Sequence, residues 1–339
     1  MSDDDRQREM ALGAMRYWHW AGVATFLRCP HRPDLSETDI GLVGFPYSGG
    51  NAVERMQYLG PRAVRDRSTS YRRVLRSMRV DPFETSRVSD LGDVPIMSML
   101  NPDLVAAEAE QFYRQLDARG IIPITVGGDH SVTTPILRGI AGPSSRHKGP
   151  IGMIHFDAHA DSWPEMAGTK HHAGAAFYIG VEEGLIDPAR TVQIGLHGPV
   201  GATEQDAYSL EQFRVFTLDE VIEKGVAKVA EEVRRIVGDG PTYISVDLDV
   251  LDLAYAPAVA DPEVNGMTSR EFFGLFDAFR GINLCGADVV CFCPPLDTPG
   301  KITAMTSSEL LLYYVTLANE ARLKKRAGVA PAAACVRRG

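Results

Sequence analysis

The sequence predicts an α/β protein with a mostly parallel sheet, on three observations. Short apolar runs rich in β-branched residues alternate with longer stretches of helical period. These runs are apolar at nearly every position rather than at alternate ones, the pattern of strands covered on both faces. No long linker rich in Pro, Ser or Gly divides the middle of the chain, so the alternation belongs to one unit.

In chain order, Ile40–Gly44 is the first buried strand, followed by Ile121–Val126, Ile151–Phe156, Thr191–Gly195, Phe213–Thr217, Thr242–Val246 and Ala287–Phe292. Each sets a block of apolar or β-branched residues between Gly, Pro or charged positions, which punctuate a covered sheet. The stretches Asp103–Arg119, Val132–Ile140, Leu218–Val237, Ser269–Phe279 and Ser307–Leu323 repeat apolar residues every three or four positions. They are the covering helices, each turning one apolar face to the sheet. On this reading residues 36–323 form a single domain, with an arm at 1–35 and a basic, flexible tail at 324–339. The arm carries Trp18 and Trp20, two of the three tryptophans, placed to pack on a neighbouring subunit or on the chain's own surface.

A chain of 339 residues that is 45% hydrophobic and 23% charged can bury a sizeable core, which excludes disorder for most of its length. Its 44 acidic against 35 basic residues give a net charge of -9, which opposes nucleic acid as a partner and suits small cations. No run approaches the roughly 18–20 apolar residues of a membrane span. The chain opens on Ser2-Asp3-Asp4-Asp5 rather than on a basic and then apolar leader, so a cytoplasmic protein is expected. The five cysteines, Cys29, Cys285, Cys291, Cys293 and Cys335, are odd in number and lack zinc-ribbon spacing, so reduced thiols are expected.

Chemistry concentrates in three segments. Asp157-Ala158-His159-Ala160-Asp161 follows the strand Ile151–Phe156 directly. Side chains alternate along extended backbone, so Asp157, His159 and Asp161 start on one face about 6–7 Å apart. Ser245-Val246-Asp247-Leu248-Asp249 repeats the arrangement with carboxylates, which repel one another unless a cation sits between them. Gly127-Gly128-Asp129-His130-Ser131 is a strand-to-helix turn that sets His130 at the mouth of the sheet, while Asp129 or Ser131 serves as a helix cap. Asp252 reads as a turn residue. All three segments stand where ligands gather in an open α/β sheet, outside the carboxyl ends of the strands. They supply His130, Asp157, His159, Asp161, Asp247 and Asp249, a set with no thiolate that suits a pair of divalent ions sharing carboxylates.

These segments resemble the signatures of the ureohydrolase superfamily, which includes arginase, agmatinase and guanidino-acid hydrolases. The likeness runs from about Ala24 to Leu323 and is greatest to the agmatinase branch. Ala24–Arg28, Gly60–Arg65, Glu182–Asp187 and Gly300–Ala304 also match. The resemblance implies a three-layer α/β/α fold around an eight-stranded, mostly parallel sheet, assembled as trimers or hexamers, with two Mn2+ or Ni2+ ions per chain. By this carry-over His130, Asp157, Asp161 and Asp247 hold one ion, and Asp157, His159, Asp247 and Asp249 the other. Two divalent ions against four aspartates and one hydroxide leave a single negative charge, which favours a cationic guanidine-like substrate. Asp161 then orients the hydroxide for attack on the amidine carbon, and a loop histidine protonates the departing nitrogen. Lys170-His171-His172 occupies that loop. The donor is assigned to His172, and His171 is left as a substrate contact.

The chain also departs from its relatives. The family's guanidinium-binding glutamate falls where this sequence has Cys291, within Asp288-Val289-Val290-Cys291-Phe292-Cys293-Pro294. A neutral thiol forfeits charge-assisted hydrogen bonds worth roughly 1.5–3 kcal/mol each, so an unusual substrate is expected to meet Cys291. The stretch Leu253–Pro262 lacks the glycines and threonines usual beside the site, and Glu54–Pro61 is altered as well. Retained ligands with altered walls resemble a divergent branch that hydrolyses N-alkylated guanidines or biguanides such as metformin. An ordinary guanidino-acid hydrolase or agmatinase releasing urea is one alternative, and a non-catalytic partner subunit of a mixed hexamer is another.

Overall fold

The computed structural model describes Trp18 and residues 20–54, 56–166 and 168–328. Eight strands form one sheet: β1 (Ile40–Gly44), β2 (Val88–Asp93), β3 (Ile122–Val126), β4 (Ile151–Phe156), β5 (Ile186–Leu196), β6 (Arg214–Thr217), β7 (Thr242–Asp247) and β8 (Leu284–Val290). Their order is β2-β1-β3-β8-β7-β4-β5-β6, and every pairing is parallel. The α/β class and the eight-stranded sheet are as expected.

Alternation along each strand sends side chains into two apolar layers. Ile154, Phe156, Ile244 and Val246 pack with Phe272, Phe276 and Leu311 on one face. Ile151, Met153 and Tyr243 pack with Val105, Phe112, Ile136 and Phe177 on the other. The helices that cover the sheet start where local chemistry dictates. Asn101 caps Pro102–Ala118 by accepting from the Asp103 and Leu104 N–H groups, and Thr268 with Glu271 forms a capping box on Ser269–Ala278.

Several boundaries differ from expectation. Strand β2 was not foreseen because Val88 and Leu91 are its only large apolar residues. It lies at the sheet edge, and its Asp90 is held by Arg65 at 2.9 Å and by the Phe26 N–H at 2.9 Å. The expected helix Leu218–Val237 is two, broken at Gly225, whose φ of 75° an L side chain resists. The last helix runs Ile302–Ala327, so it takes in Lys324–Arg326, which the sequence placed in a flexible tail. Lys324 Nζ there donates to the Gly281 carbonyl at 2.7 Å. Residues 329–339, with Cys335, lie outside the described residues, as do residues 1–17 of the arm. Trp18 and Trp20 stack on each other with centroids 5.3 Å apart and are 72% and 79% exposed. Cys29, Cys285, Cys291 and Cys293 are free and buried. No described helix is long and apolar enough to cross a membrane.

Strand β8 ends at Val290, two residues before the Phe292 expected from the sequence, and this boundary shift matters most for the site. The chain leaves β8 at Cys291, which adopts a left-handed φ of 65° and donates its N–H to the Gly128 carbonyl at 2.7 Å. This contact joins the ends of β8 and β3 and aims Cys291 at the carboxyl edge of the sheet.

Candidate metal centre

The strands β3, β8, β7 and β4 are consecutive in the sheet, and their carboxyl ends deliver His130, Cys291, Asp247 and Asp157 in that order. Adjacent strands lie about 4.8 Å apart, so side chains at neighbouring ends meet without further folding. Gly128 makes the first turn possible: a Cβ there would lie 1.7 Å from the Tyr47 carbonyl oxygen. Asp129 takes the capping role anticipated for it, accepting from the Ser131 N–H at 3.0 Å, from the Ser131 hydroxyl and from the Gly50 N–H at 2.8 Å. That leaves His130 to face the site. Asp252 is the turn residue expected, accepting from the Ala254 N–H at 2.9 Å.

All six candidate ligands converge. His130 Nδ1 lies 2.9 Å from Asp161 Oδ2, 3.2 Å from Asp157 Oδ2 and 3.5 Å from Asp247 Oδ2. His159 Nδ1 lies 3.1 Å from Asp249 Oδ2 and 3.5 Å from Asp157 Oδ1. The two oxygens of Asp157 thus face different histidines, the disposition required of a bridging carboxylate. The backbone fixes the remaining lone pairs. The His159 N–H donates to Asp157 Oδ1 at 2.7 Å, the Asp249 N–H to Asp247 Oδ1 at 3.1 Å and the Ala158 N–H to Asp249 Oδ1 at 3.0 Å. Asp161 holds a left-handed φ of 44°, a strained conformation for a residue with a Cβ.

The electrostatics of the cluster call for positive charge. Burial pushes the Asp161 carboxyl up to about 7, with Asp157 adding to the effect, and burial followed by Asp247 and Asp157 raises Asp249. Burial opposes charge on His159 and His130 too, yet the surrounding aspartates outweigh it and raise both imidazoles. Burial likewise disfavours the Asp157 carboxylate, but the neighbouring His130 and His155 imidazoles hold its pKa down. The donor set of carboxylate oxygens and imidazole nitrogens, with a buried His130 Nδ1 that has no hydrogen-bond partner amid three carboxylates, fits divalent cations. Two compact groups stand out among the described residues: His130 with His155 and Asp157, and Asp157 with His159 and Asp249.

His155 is the site residue that the sequence reading passed over. It stands two positions before Asp157, so alternation along β4 already put it on the same face. Its Nε2 is 2.8 Å from Asp157 Oδ2, and burial lowers its pKa to about 4. Behind His130 lies a further buried chain. His130 Nε2 is 2.9 Å from Ser245 Oγ, and the Ser245 hydroxyl donates to Asp288 Oδ1 at 2.6 Å. Asp288 also accepts from Thr133 at 2.8 Å and from the Tyr243 hydroxyl at 2.9 Å. Such outer partners orient the inner ligands.

The cluster floors a cavity of about 260 Å³ lined also by His172, Trp163, Asp261 and Cys291. His172 is 4% exposed, with both ring nitrogens buried and unpartnered, and its pKa is lowered by burial and then by His171. His171, expected from the sequence to contact substrate, is not among the described residues lining this cavity. Its Nε2 lies 3.2 Å from Asp103 Oδ1, because the backbone is extended at His172 and successive side chains point to opposite sides. Cys291 does line it, and burial followed by the neighbouring Asp247 raises its pKa, so the thiol is neutral. None of the described residues lining the cavity is Lys or Arg.

Comparison with known proteins agrees with this architecture. The arginase family model matches residues 38–316. The chain is 41% identical to a guanidinopropionase of Pseudomonas aeruginosa over 94% of its own length and 98% of that protein's. It is 36% identical to a guanidinobutyrase of the same organism over 91% of its length and 96% of the relative's. Among solved structures, the proclavaminate amidino hydrolase of Streptomyces clavuligerus superposes with a TM-score of 0.82 at 32% identity, covering 90% of this chain and 100% of that one.

Proposed function

The chain belongs to the arginase family and is an amidinohydrolase, and from that premise we propose that it hydrolyses a C–N bond of a guanidine whose substituent carries no carboxylate, an N-alkylated guanidine or a biguanide. The observation that carries the hydrolase reading is the convergence of His130, Asp157, His159, Asp161, Asp247 and Asp249 in one cluster, of which His159, Asp161, Asp247 and Asp249 line the cavity.

His130, Asp157, Asp161 and Asp247 would hold one divalent ion, and Asp157, His159, Asp247 and Asp249 a second. Bound there, Mn2+ or Ni2+ supplies Lewis acidity and makes water nucleophilic at neutral pH. Asp161 accepts a hydrogen bond from the attacking water and orients it toward the amidine carbon. His172 gives a proton to the departing nitrogen, so that it leaves as a neutral amine.

Two features support the choice of substrate. Cys291 presents a neutral thiol where the family has its guanidinium-binding glutamate, so an unsubstituted guanidinium meets no carboxylate there. No cationic side chain among the described lining residues answers a carboxylate tail. The identity to guanidinopropionase favours a second reading, an ordinary guanidino-acid hydrolase. A substrate panel run separately with Mn2+ and Ni2+ decides between them. Amine release from dimethylguanidine or metformin supports the first, and urea release from guanidinopropionate or guanidinobutyrate overturns it. Retention of the full ligand set favours a catalytic subunit over a non-catalytic partner, and elemental analysis showing about two ions per chain supports that choice.

A further inference from the structure

We propose that Gln193 and His155 form a fixed hydrogen-bond relay whose sole output is an N–H donated to Asp157 Oδ2, which makes His155 a positioning residue and not a ligand. The proposal rests on the reading of Asp157 as a bridging metal ligand.

The strands β4 and β5 pair so that His155 stands directly opposite Gln193. The Gln193 Nε2 lies 2.8 Å from the Ala160 carbonyl oxygen. A carbonyl only accepts, so this contact fixes which end of the Gln193 amide is the nitrogen. Its second hydrogen then points at His155 Nδ1, 2.9 Å away, and that ring nitrogen must be bare. A neutral imidazole without a proton on Nδ1 carries it on Nε2, 2.8 Å from Asp157 Oδ2. The direction of every hydrogen bond in the relay follows from one backbone oxygen.

His155 belongs to one of the compact groups that resemble a metal site, together with His130 and Asp157. The relay excludes it from coordination, because one ring nitrogen is occupied as an acceptor and the other as a donor. The ring is held in plane by Phe177, stacked at 3.7 Å between centroids and inclined by 26°. Asp157 Oδ2 therefore receives one N–H from its own strand, while the side facing His130 stays open to a cation. The same Gln193 nitrogen anchors Ala160, the residue before Asp161, so one amide ties the bridging carboxylate and Asp161 to β5.

The experiment pairs a metal readout with a tautomer readout. Mn2+ affinity, measured by chelator competition, is expected to fall about 10–100-fold in His155→Phe, which keeps the ring stack and removes the N–H. His155→Gln, which returns an amide N–H toward Asp157, is expected to recover most of that loss. Nitrogen-15 NMR of the metal-free wild type should show His155 protonated on Nε2 alone, and Gln193→Met should mix the two tautomers even if the His155 variants fold poorly. Unchanged Mn2+ affinity in a folded His155→Phe protein, or a proton on Nδ1 in the wild type, overturns the relay. Failure of the wild type to take up Mn2+ or Ni2+ would instead overturn the proposed function, and the NMR result would still decide the relay.

Discussion

Asp247 tests the centre most directly, because its two oxygens serve different neighbours: Oδ2 lies 3.5 Å from His130 and Oδ1 accepts the Asp249 N–H. Asp247→Asn substitutes a weak neutral ligand for the carboxylate proposed to bridge the two ions. Activity and bound metal are expected to vanish while circular dichroism is unchanged, and turnover at the wild-type rate would refute the assignment. Among the described residues His172 has no hydrogen-bond partner for either nitrogen, as suits a group that meets its partner only in the substrate complex. His172→Ala should lower kcat by about 10²–10⁴-fold with metal content intact, and added imidazole should restore part of it. Cys291→Glu supplies the missing carboxylate. The ratio of activity on simple guanidinium substrates to that on N-alkylated ones should rise at least about tenfold, consistent with one charge-assisted hydrogen bond. An unchanged profile would show that position 291 does not contact the guanidinium.

The turns that carry these residues depend on close backbone approach. Tyr47 accepts the Asp129 N–H at 2.9 Å, and Gly128 accepts the Cys291 N–H at 2.7 Å, so three segments are joined at the mouth of β3. Gly128→Ala would push a Cβ against the Tyr47 carbonyl, a backbone atom that cannot rotate aside. Overpacking of this kind costs about 1–3 kcal/mol. A lower Tm together with weaker metal binding is expected, since His130 moves with the turn; a variant that melts and binds Mn2+ like wild type would show that the turn tolerates the side chain. The contrast between β2 and β4 shows which elements sequence reading can find. Every residue of Ile151–Phe156 is buried, and its apolar run is legible, whereas β2 spends Asp90 on an ion pair with Arg65 and leaves no apolar pattern to read.

For the molecule as a whole, the cost of gathering four aspartates in one buried cluster makes stability depend on pH and metal together. In the metal-free protein the carboxyls of Asp161 and Asp249 and the imidazoles of His130 and His159 are all raised, and above about pH 6.5, where the lowered imidazoles of His147, His155, His171 and His172 are largely neutral in both states, the folded chain binds more protons than the unfolded one. Stability is therefore lost as pH rises through the range between the unfolded and folded values. Metal-free protein should melt lower at pH 8 than at pH 7. With Mn2+ or Ni2+ the order should reverse, because deprotonated ligands bind the ions, and a thousandfold excess over Kd adds about 4.1 kcal/mol. Identical slopes with and without metal would show that these ions do not occupy the cluster. The sequence by itself determined the covered parallel sheet and picked out the six candidate ligands that converge, because burial on both faces and alternate acidic positions at strand ends are local patterns. Only the tertiary structure decided that β3, β8, β7 and β4 lie side by side, that His172 and not His171 enters the cavity, and that Gln193 sets the tautomer of His155. Those outcomes depend on strand order, on the path of a loop and on a contact between residues 38 apart in the chain, and no local spacing encodes any of them.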